Sequence, residues 1–301
     1  MKHPPLAAVL VALLSAPLSA AADPEVHADV VYGHKMGLAL TFDALVPPEQ
    51  NGAGVLFMVS SGWFSEWSDP HGIVSGDSSW AGPVGDLLDN GFAVFMVRHG
   101  SAPLFKVPDA VGDARRAVRY IRLNAEDFGV DPERLGVAGG SAGGHLSLML
   151  GNASDDGNAE SEDPVAQTGN RVAAVVAYFP PADLEALREF VEGLQKLTGP
   201  KRRFAALDFD RDKTAGFSPI LFVSEDDPPT LLIHGDEDTT VRISHSERIK
   251  AAFDDSNVPS QLIVIEHAGH GFRGEDAERA ASALVAWFNE HLGVSGNQSG
   301  C

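Results

Sequence analysis

Only one cysteine occurs in the 301 residues, Cys301 at the last position. One thiol closes no intramolecular disulfide, so the fold is expected to stand on its core alone. Cys301 reads as an incidental end residue, with an intermolecular disulfide as the alternative. Basic residues are also few: 22 Lys and Arg face 42 Asp and Glu, a formal net charge of −20. No stripe of Lys and Arg interleaves with aromatics, so the electrostatics of phosphate binding argue against a nucleic-acid partner. The acidic excess reads as solubilising surface. Beyond residue 22 no apolar run approaches the ~20 residues that span a bilayer, and no stable membrane insertion is expected. No repeat at a fixed period is visible. There are 11 histidines, but neither His267-x-x-His270 nor any other cluster carries carboxylates at zinc-protease spacing. No metal and no cofactor is expected.

What is present is a 44% apolar composition, enough for a sizeable core. Residues 1–22 read as a secretory signal: Lys2 and His3 give a basic start, an apolar run follows over 6–18, and Ala20-Ala21-Ala22 offers small residues for cleavage. The protein is therefore expected to be secreted or periplasmic, with a folded domain over 23–292 and a Gly/Ser/Asn-rich flexible tail over 293–301. Short apolar runs at 55–59, 92–97, 135–138, 172–177, 230–233 and 261–265 read as buried strands. Between them 109–128, 244–253 and 276–291 carry apolar residues at helical spacing. Strands alternating with helices argue for an α/β fold, a mostly parallel sheet covered on both faces. The stretches 26–32 and 38–45 read as an antiparallel pair opening that sheet. Two segments resist the scheme. Residues 65–85, rich in Ser, Gly, Asp and Pro, read as a long loop of the functional or mobile kind. Residues 180–229 carry helical signal over 182–197 and the basic cluster Lys201-Arg202-Arg203. Their central part, 183–217, reads as a partial lid over the sheet's carboxyl edge, with an enlarged structural crossover as the alternative.

The most informative run is Gly139-Gly140-Ser141-Ala142-Gly143-Gly144, a G-x-S-x-G between a strand and a helix. A nucleophilic serine needs a sharp strand-to-helix turn with an exposed hydroxyl, and flanking glycines remove the Cβ atoms that would clash there. A phosphate-binding loop would need a following Lys-Ser or Lys-Thr, which is absent. The stretch from Asp131-Pro132-Glu133-Arg134 through Gly143-Gly144-His145 resembles the nucleophile region of the α/β-hydrolase superfamily. It is most similar to the branch of bacterial esterases related to hormone-sensitive lipase, feruloyl and acetyl-xylan esterases and prolyl-oligopeptidase catalytic domains. The helix Asp113-Ala114-Arg115-Arg116-Ala117-Val118 resembles that branch as well.

The resemblance implies the remaining machinery. Leu232-Ile233-His234-Gly235-Asp236-Glu237-Asp238 resembles the family's acid turn, where the later Asp carries the role. This selects Asp238, with Asp236 as a turn residue capping backbone N–H groups and Glu237 as a minor alternative. His267-Ala268-Gly269-His270-Gly271-Phe272 resembles the histidine loop and places the base at His270 rather than His267. His234 reads as a packed or hydrogen-bonded histidine. The oxyanion hole is expected from the backbone N–H of Ala142 together with a loop after an early strand. Where the family often reads His-Gly-Gly-Gly-Trp, this chain has Val59-Ser60-Ser61-Gly62-Trp63, a departure that keeps only the Gly-Trp end. Gly62 is the expected second donor and Ser61 the next. Trp63 is expected either to line the acyl pocket or to pack in the core. Together with Phe64 and Trp67, the insertion's Phe190, Phe204, Phe209 and Phe217 are expected to flank Ser141. The implied activity is carboxylic-ester hydrolysis on small or polysaccharide-linked esters. The alternatives are a prolyl-oligopeptidase-type exopeptidase and a non-catalytic binding protein on the same scaffold. The oligomeric state is left open.

Overall fold

The computed structural model describes residues 22–76, 80–198 and 204–293. The stretch read as a secretory signal, up to residue 21, the cluster Lys201-Arg202-Arg203 and the tail from 294 to Cys301 lie outside the described residues. The strands are β1 (Glu25–Lys35), β2 (Leu38–Val46), β3 (Gly54–Met58), β4 (Ala93–Val97), β5 (Leu135–Gly140), β6 (Ala174–Tyr178), β7 (Thr230–Gly235) and β8 (Ser260–Ile265). The helices are α1 (Pro70–Val74), α2 (Ala81–Asp89), α3 (Val107–Leu123), α4 (Ala142–Asn152), α5 (Pro164–Gln167), α6 (Leu184–Thr198), α7 (Ser244–Asp255) and α8 (Glu275–His291).

The strands form one eight-stranded sheet in the order β1-β2-β4-β3-β5-β6-β7-β8. The pairs β1–β2 and β2–β4 are antiparallel and the rest are parallel. Strands β3 to β7 are buried along their whole length. They are covered on both faces, which is why they read as continuous apolar runs rather than alternating ones. Side chains of one strand still part to opposite sides. Leu56 and Met58 of β3 join a core built with α3, α4 and α7. Val55 and Phe57 join a second core with α2 and α8.

Helix α4, directly after Ser141, is buried at all of its positions. It is wedged between the sheet and the 3-10 turn Pro219–Phe222, at the heart of the molecule. The segment 65–85, expected as a loop, instead contains α1 and the start of α2. Asp69 caps α1 by accepting the His71 N–H at 3.0 Å, with Pro70 in its first turn. In α2, Val84, Leu87 and Leu88 are buried at helical spacing. Proline inside a helix's first turn is compatible with it, because the N–H it lacks has no helical acceptor there anyway.

Candidate active site

Ligand crevices of open α/β sheets lie beyond the carboxyl ends of the strands. Four segments meet there in this chain: the loop after β3, the turn after β5, the turn after β7 and the loop after β8. Ser141 stands between β5 and α4 with φ 54° and ψ −118°. A non-glycine residue in that region stores on the order of 1–3 kcal/mol of strain and persists only where its surroundings hold it. Here the hold is close packing. A Cβ on Gly139 would lie 2.6 Å from the Gly143 carbonyl carbon, and one on Gly143 would lie 2.6 Å from the Met58 carbonyl oxygen. The two motif glycines thus let the turn close on itself and on β3.

His270 Nε2 lies 2.9 Å from Ser141 Oγ, and His270 Nδ1 lies 2.6 Å from Asp238 Oδ2. The carboxylate can only accept, so Nδ1 carries the hydrogen and Nε2 offers its lone pair to the serine hydroxyl. The Asp238 side chain is fully buried, whereas that of His270 is 22% exposed. The other Asp238 oxygen accepts the N–H groups of Thr240 (2.7 Å) and Val241 (3.0 Å). Burial alone would raise the Asp238 carboxyl. Hydrogen bonds from His234 and His270, the charge of His270 and the Val241 N–H outweigh it and hold the group well below the usual carboxylate range. It is therefore anionic wherever an imidazole base can act.

The competing residues find other partners. Asp236 Oδ1 accepts the His267 N–H at 2.7 Å, a contact across to the histidine loop rather than the local capping read from the sequence. His267 Nδ1 sits 3.2 Å from Glu237 Oε1 on the exposed surface. His234 is buried; its Nε2 donates to the Val241 carbonyl at 2.9 Å and stands 3.4 Å from Asp238 Oδ2, and its Nδ1 accepts the Ser246 hydroxyl at 2.7 Å. Gly235 allows the acid turn and the histidine loop to meet, because a Cβ there would overlap the Ala268 carbonyl.

The loop after β3 is a tight two-residue turn. Ser61 donates its N–H to Phe64 O at 2.8 Å, Phe64 returns the bond at 3.0 Å, and Gly62 and Trp63 between them have φ of 58° and 60°. Two consecutive positive φ values define the type I′ geometry. The backbone N–H groups of Gly62 and Trp63 have no acceptor among the described residues. The N–H of Ala142, the first residue of α4, likewise has no helical acceptor. Two sequence expectations change. The Ser61 N–H is consumed by the turn, which leaves only its hydroxyl as a donor. Trp63 does not line an open acyl pocket: it is 1% exposed. Its Nε1–H donates to His145 Nδ1 at 3.3 Å, and its ring packs edge-on against His145 and Phe204.

The insertion's aromatics also divide. Phe204 reaches Trp63. Phe209 packs edge-on against Phe217 and lies under Arg188, while Phe190 lies under Arg242. Phe209 and Phe217 thus pack within the insertion, and Phe190 ties it to Arg242 in the segment after β7. Phe179, which the sequence reading missed, has its ring centroid 4.5 Å from that of His270 and a φ of 37°. It lines an apolar cavity of about 310 Å³ with Gly140, Tyr178, Phe272 and Ala277, immediately beside the serine turn.

His145 accepts from Trp63 and donates from Nε2 to the Phe217 carbonyl at 2.8 Å. That pairing requires a neutral ring. Burial lowers His145 from 6.5 to about 4, against the Phe217 hydrogen bond. Burial likewise lowers His245 to about 4. In the window between, the unfolded chain binds protons that the native state does not. The associated stability is complete above about pH 6.5 and is lost as pH falls toward about 4, by up to about 3 kcal/mol per histidine. Urea denaturation should show a clearly lower midpoint at about pH 4.5 than at about pH 7.5. Equal midpoints would contradict neutral burial of these rings.

Fold and relay together define an α/β-hydrolase. More narrowly, the family model BD-FAE matches residues 44–253, and the chain belongs to that family. It is 28% identical to the esterase LipC of Mycobacterium tuberculosis over 216 residues, covering 68% of this chain and 52% of that protein. It is 26% identical to ethyl acetate hydrolase of Pseudomonas putida over 290 residues, covering 90% and 84%. A solved structure of a truncated carbohydrate esterase from gut microbiota superposes with a TM-score of 0.70 at 26% identity, covering 89% of this chain and 96% of that one. The chain spans about half the length of the mycobacterial esterases it matches.

Proposed function

We propose that this protein is a secreted serine hydrolase that cleaves carboxylic esters through an acyl-enzyme intermediate. The observation that carries the reading is the hydrogen-bonded series Asp238–His270–Ser141 on a serine turn with φ 54°. The names of the relatives, esterase and ethyl acetate hydrolase, support the same chemistry. His270 Nε2 takes the proton of Ser141 as Oγ attacks the ester carbonyl. The tetrahedral oxyanion is stabilised by the N–H of Ala142 and by that of Gly62. Asp238 keeps the imidazole in the receptive tautomer and stabilises its cation. The C–O bond breaks, the alcohol departs with the proton from His270, and Ser141 is left acylated. Water, deprotonated by the same imidazole, then releases the acid and restores the serine.

The acyl group takes the 310 Å³ cavity beside Phe179, which has room for a short to medium chain. The alcohol side faces Phe64 and the 60%-exposed Trp67, aromatic surface suited to a polar alcohol such as a sugar of an acylated polysaccharide fragment. Export rests on the residue pattern of the first 22 positions. A panel of p-nitrophenyl acyl esters set against dipeptidyl nitroanilides tests the reaction class. Turnover confined to the esters is expected, and turnover of the anilides alone would reverse the reading. Ala277→Phe should fill the cavity and cut turnover of long acyl esters about tenfold or more relative to acetate. An unchanged chain-length profile in the folded variant would place the acyl group elsewhere.

A further inference from the structure

The structure assigns His99 and Ser60 a joint role: we propose that they are positioning residues which hold the oxyanion loop in register with Ser141. The inference rests on the proposed serine-hydrolase reading, in which the Gly62 N–H is an oxyanion donor. Such a donor works only if it is fixed in place before the charge develops, since reorganisation during the reaction would cancel its advantage. The loop 59–64 lacks the histidine and two of the glycines expected at this place. What fixes it instead comes from elsewhere in the chain.

Ser60 and His99 are 4% and 5% exposed, and Ser60 Oγ lies 2.8 Å from His99 Nε2. His99 Nδ1 lies 2.9 Å from the Gly100 carbonyl, which can only accept. Nδ1 therefore carries the ring hydrogen, Nε2 bears the lone pair, and the Ser60 hydroxyl must be the donor. Burial, acting against the Gly100 hydrogen bond, lowers His99 and favours this neutral ring.

The imidazole is itself held. Tyr32 donates its hydroxyl to the Arg98 carbonyl at 2.6 Å, and the Arg98 guanidinium is paired with Asp43. Gly100 N–H donates to Asp113 Oδ2 at 2.9 Å, and Asp113 is paired with Lys35 at 2.5 Å. The loop's far side is tied to the same segment: Ser101 Oγ accepts the Ser65 N–H at 3.1 Å, and Ser65 Oγ donates to Val59 O at 2.7 Å. Its tip is tied to the serine helix through Trp63 and His145. Ser60 thus ties the loop by a side-chain hydrogen bond to the segment after β4, two positions before the donor Gly62.

A merely structural Ser60–His99 pair and a positioning pair make different predictions. Loss of the hydroxyl by Ser60→Ala, or of the acceptor by His99→Leu, should lower kcat about tenfold to a hundredfold, below the loss expected for deleting a donor outright. KM should stay within about twofold, because ground-state binding does not use the oxyanion contact. Affinity for a trifluoromethyl ketone, which forms the oxyanion on the enzyme, should fall by the same factor as kcat/KM. The double variant should be no slower than the worse single one. Ser60→Thr and His99→Gln, which keep a hydroxyl and an acceptor, should recover most of the rate. Folded Ser60→Ala with wild-type kcat and wild-type ketone affinity would overturn the proposal, as would a change in KM alone. If His99→Leu fails to fold, Ser60→Ala decides, since it removes a single oxygen. Failure of the underlying reading looks different: Ser141→Ala would then keep its activity and the wild-type enzyme would not bind the ketone.

Discussion

Ser141→Ala is expected to fold as the wild type does and to lose about ten-thousandfold or more in kcat on a p-nitrophenyl ester, as removal of a triad nucleophile does. The fold should be indifferent because, among the described residues, Ser141 Oγ bonds one side chain, at His270 Nε2. Alanine also meets the positive φ of the turn at the same cost as serine. The packing that forces this backbone belongs to Gly139 and Gly143 and is untouched. Thermal or urea midpoints within experimental error of wild type, with turnover reduced to background, are the expected pair of results. A folded variant keeping more than a few per cent of turnover would remove Ser141 from the mechanism.

The second large effect separates two carboxylates two residues apart. Asp238→Asn is expected to lower kcat about ten-thousandfold near neutrality, and Asp236→Asn to leave it within a fewfold of wild type. An amide at 238 that turns its NH2 toward His270 Nδ1 forces the hydrogen onto Nε2, where it blocks acceptance of the serine proton. Its single oxygen still receives the N–H groups of Thr240 and Val241, so the turn itself should survive. At 236 a carboxyl oxygen accepts the His267 N–H, and an asparagine oxygen does the same. Michaelis kinetics on both folded variants decide the matter. Asp236→Asn as the slower enzyme would mean that the acid turn is read in the wrong register.

How much of this was legible in the residues follows from how local each signal is. The parallel strands were legible because burial on both faces leaves uninterrupted apolar runs. Ser141 was legible because the glycine requirement of its turn is met within two residues on either side. The separation of Asp238 from Asp236, and of His270 from His267, came from resemblance rather than spacing. The structure gives each of the four a distinct partner. Helices α1 and α2 were hidden by a Ser/Gly/Pro-rich composition, even though Asp69 with Pro70 is a start signal. The burial of Trp63 was legible only as one of two alternatives, because its partner His145 lies 82 positions away. The pairing of Ser60 with His99, 39 positions apart, was not legible at all. The positive φ of Trp63, unusual for a bulky residue, is sustained by that burial and leaves no mark in the local sequence.

The proposed ester chemistry rests on one serine, Ser141. Reaction with a fluorophosphonate, followed by mass mapping of the peptides alongside residual esterase activity, tests it most directly. A single adduct on Ser141, with activity falling in proportion to labelling, is the predicted result. Full ester turnover in quantitatively labelled protein, or an adduct on another residue that tracks the loss of activity, would contradict it.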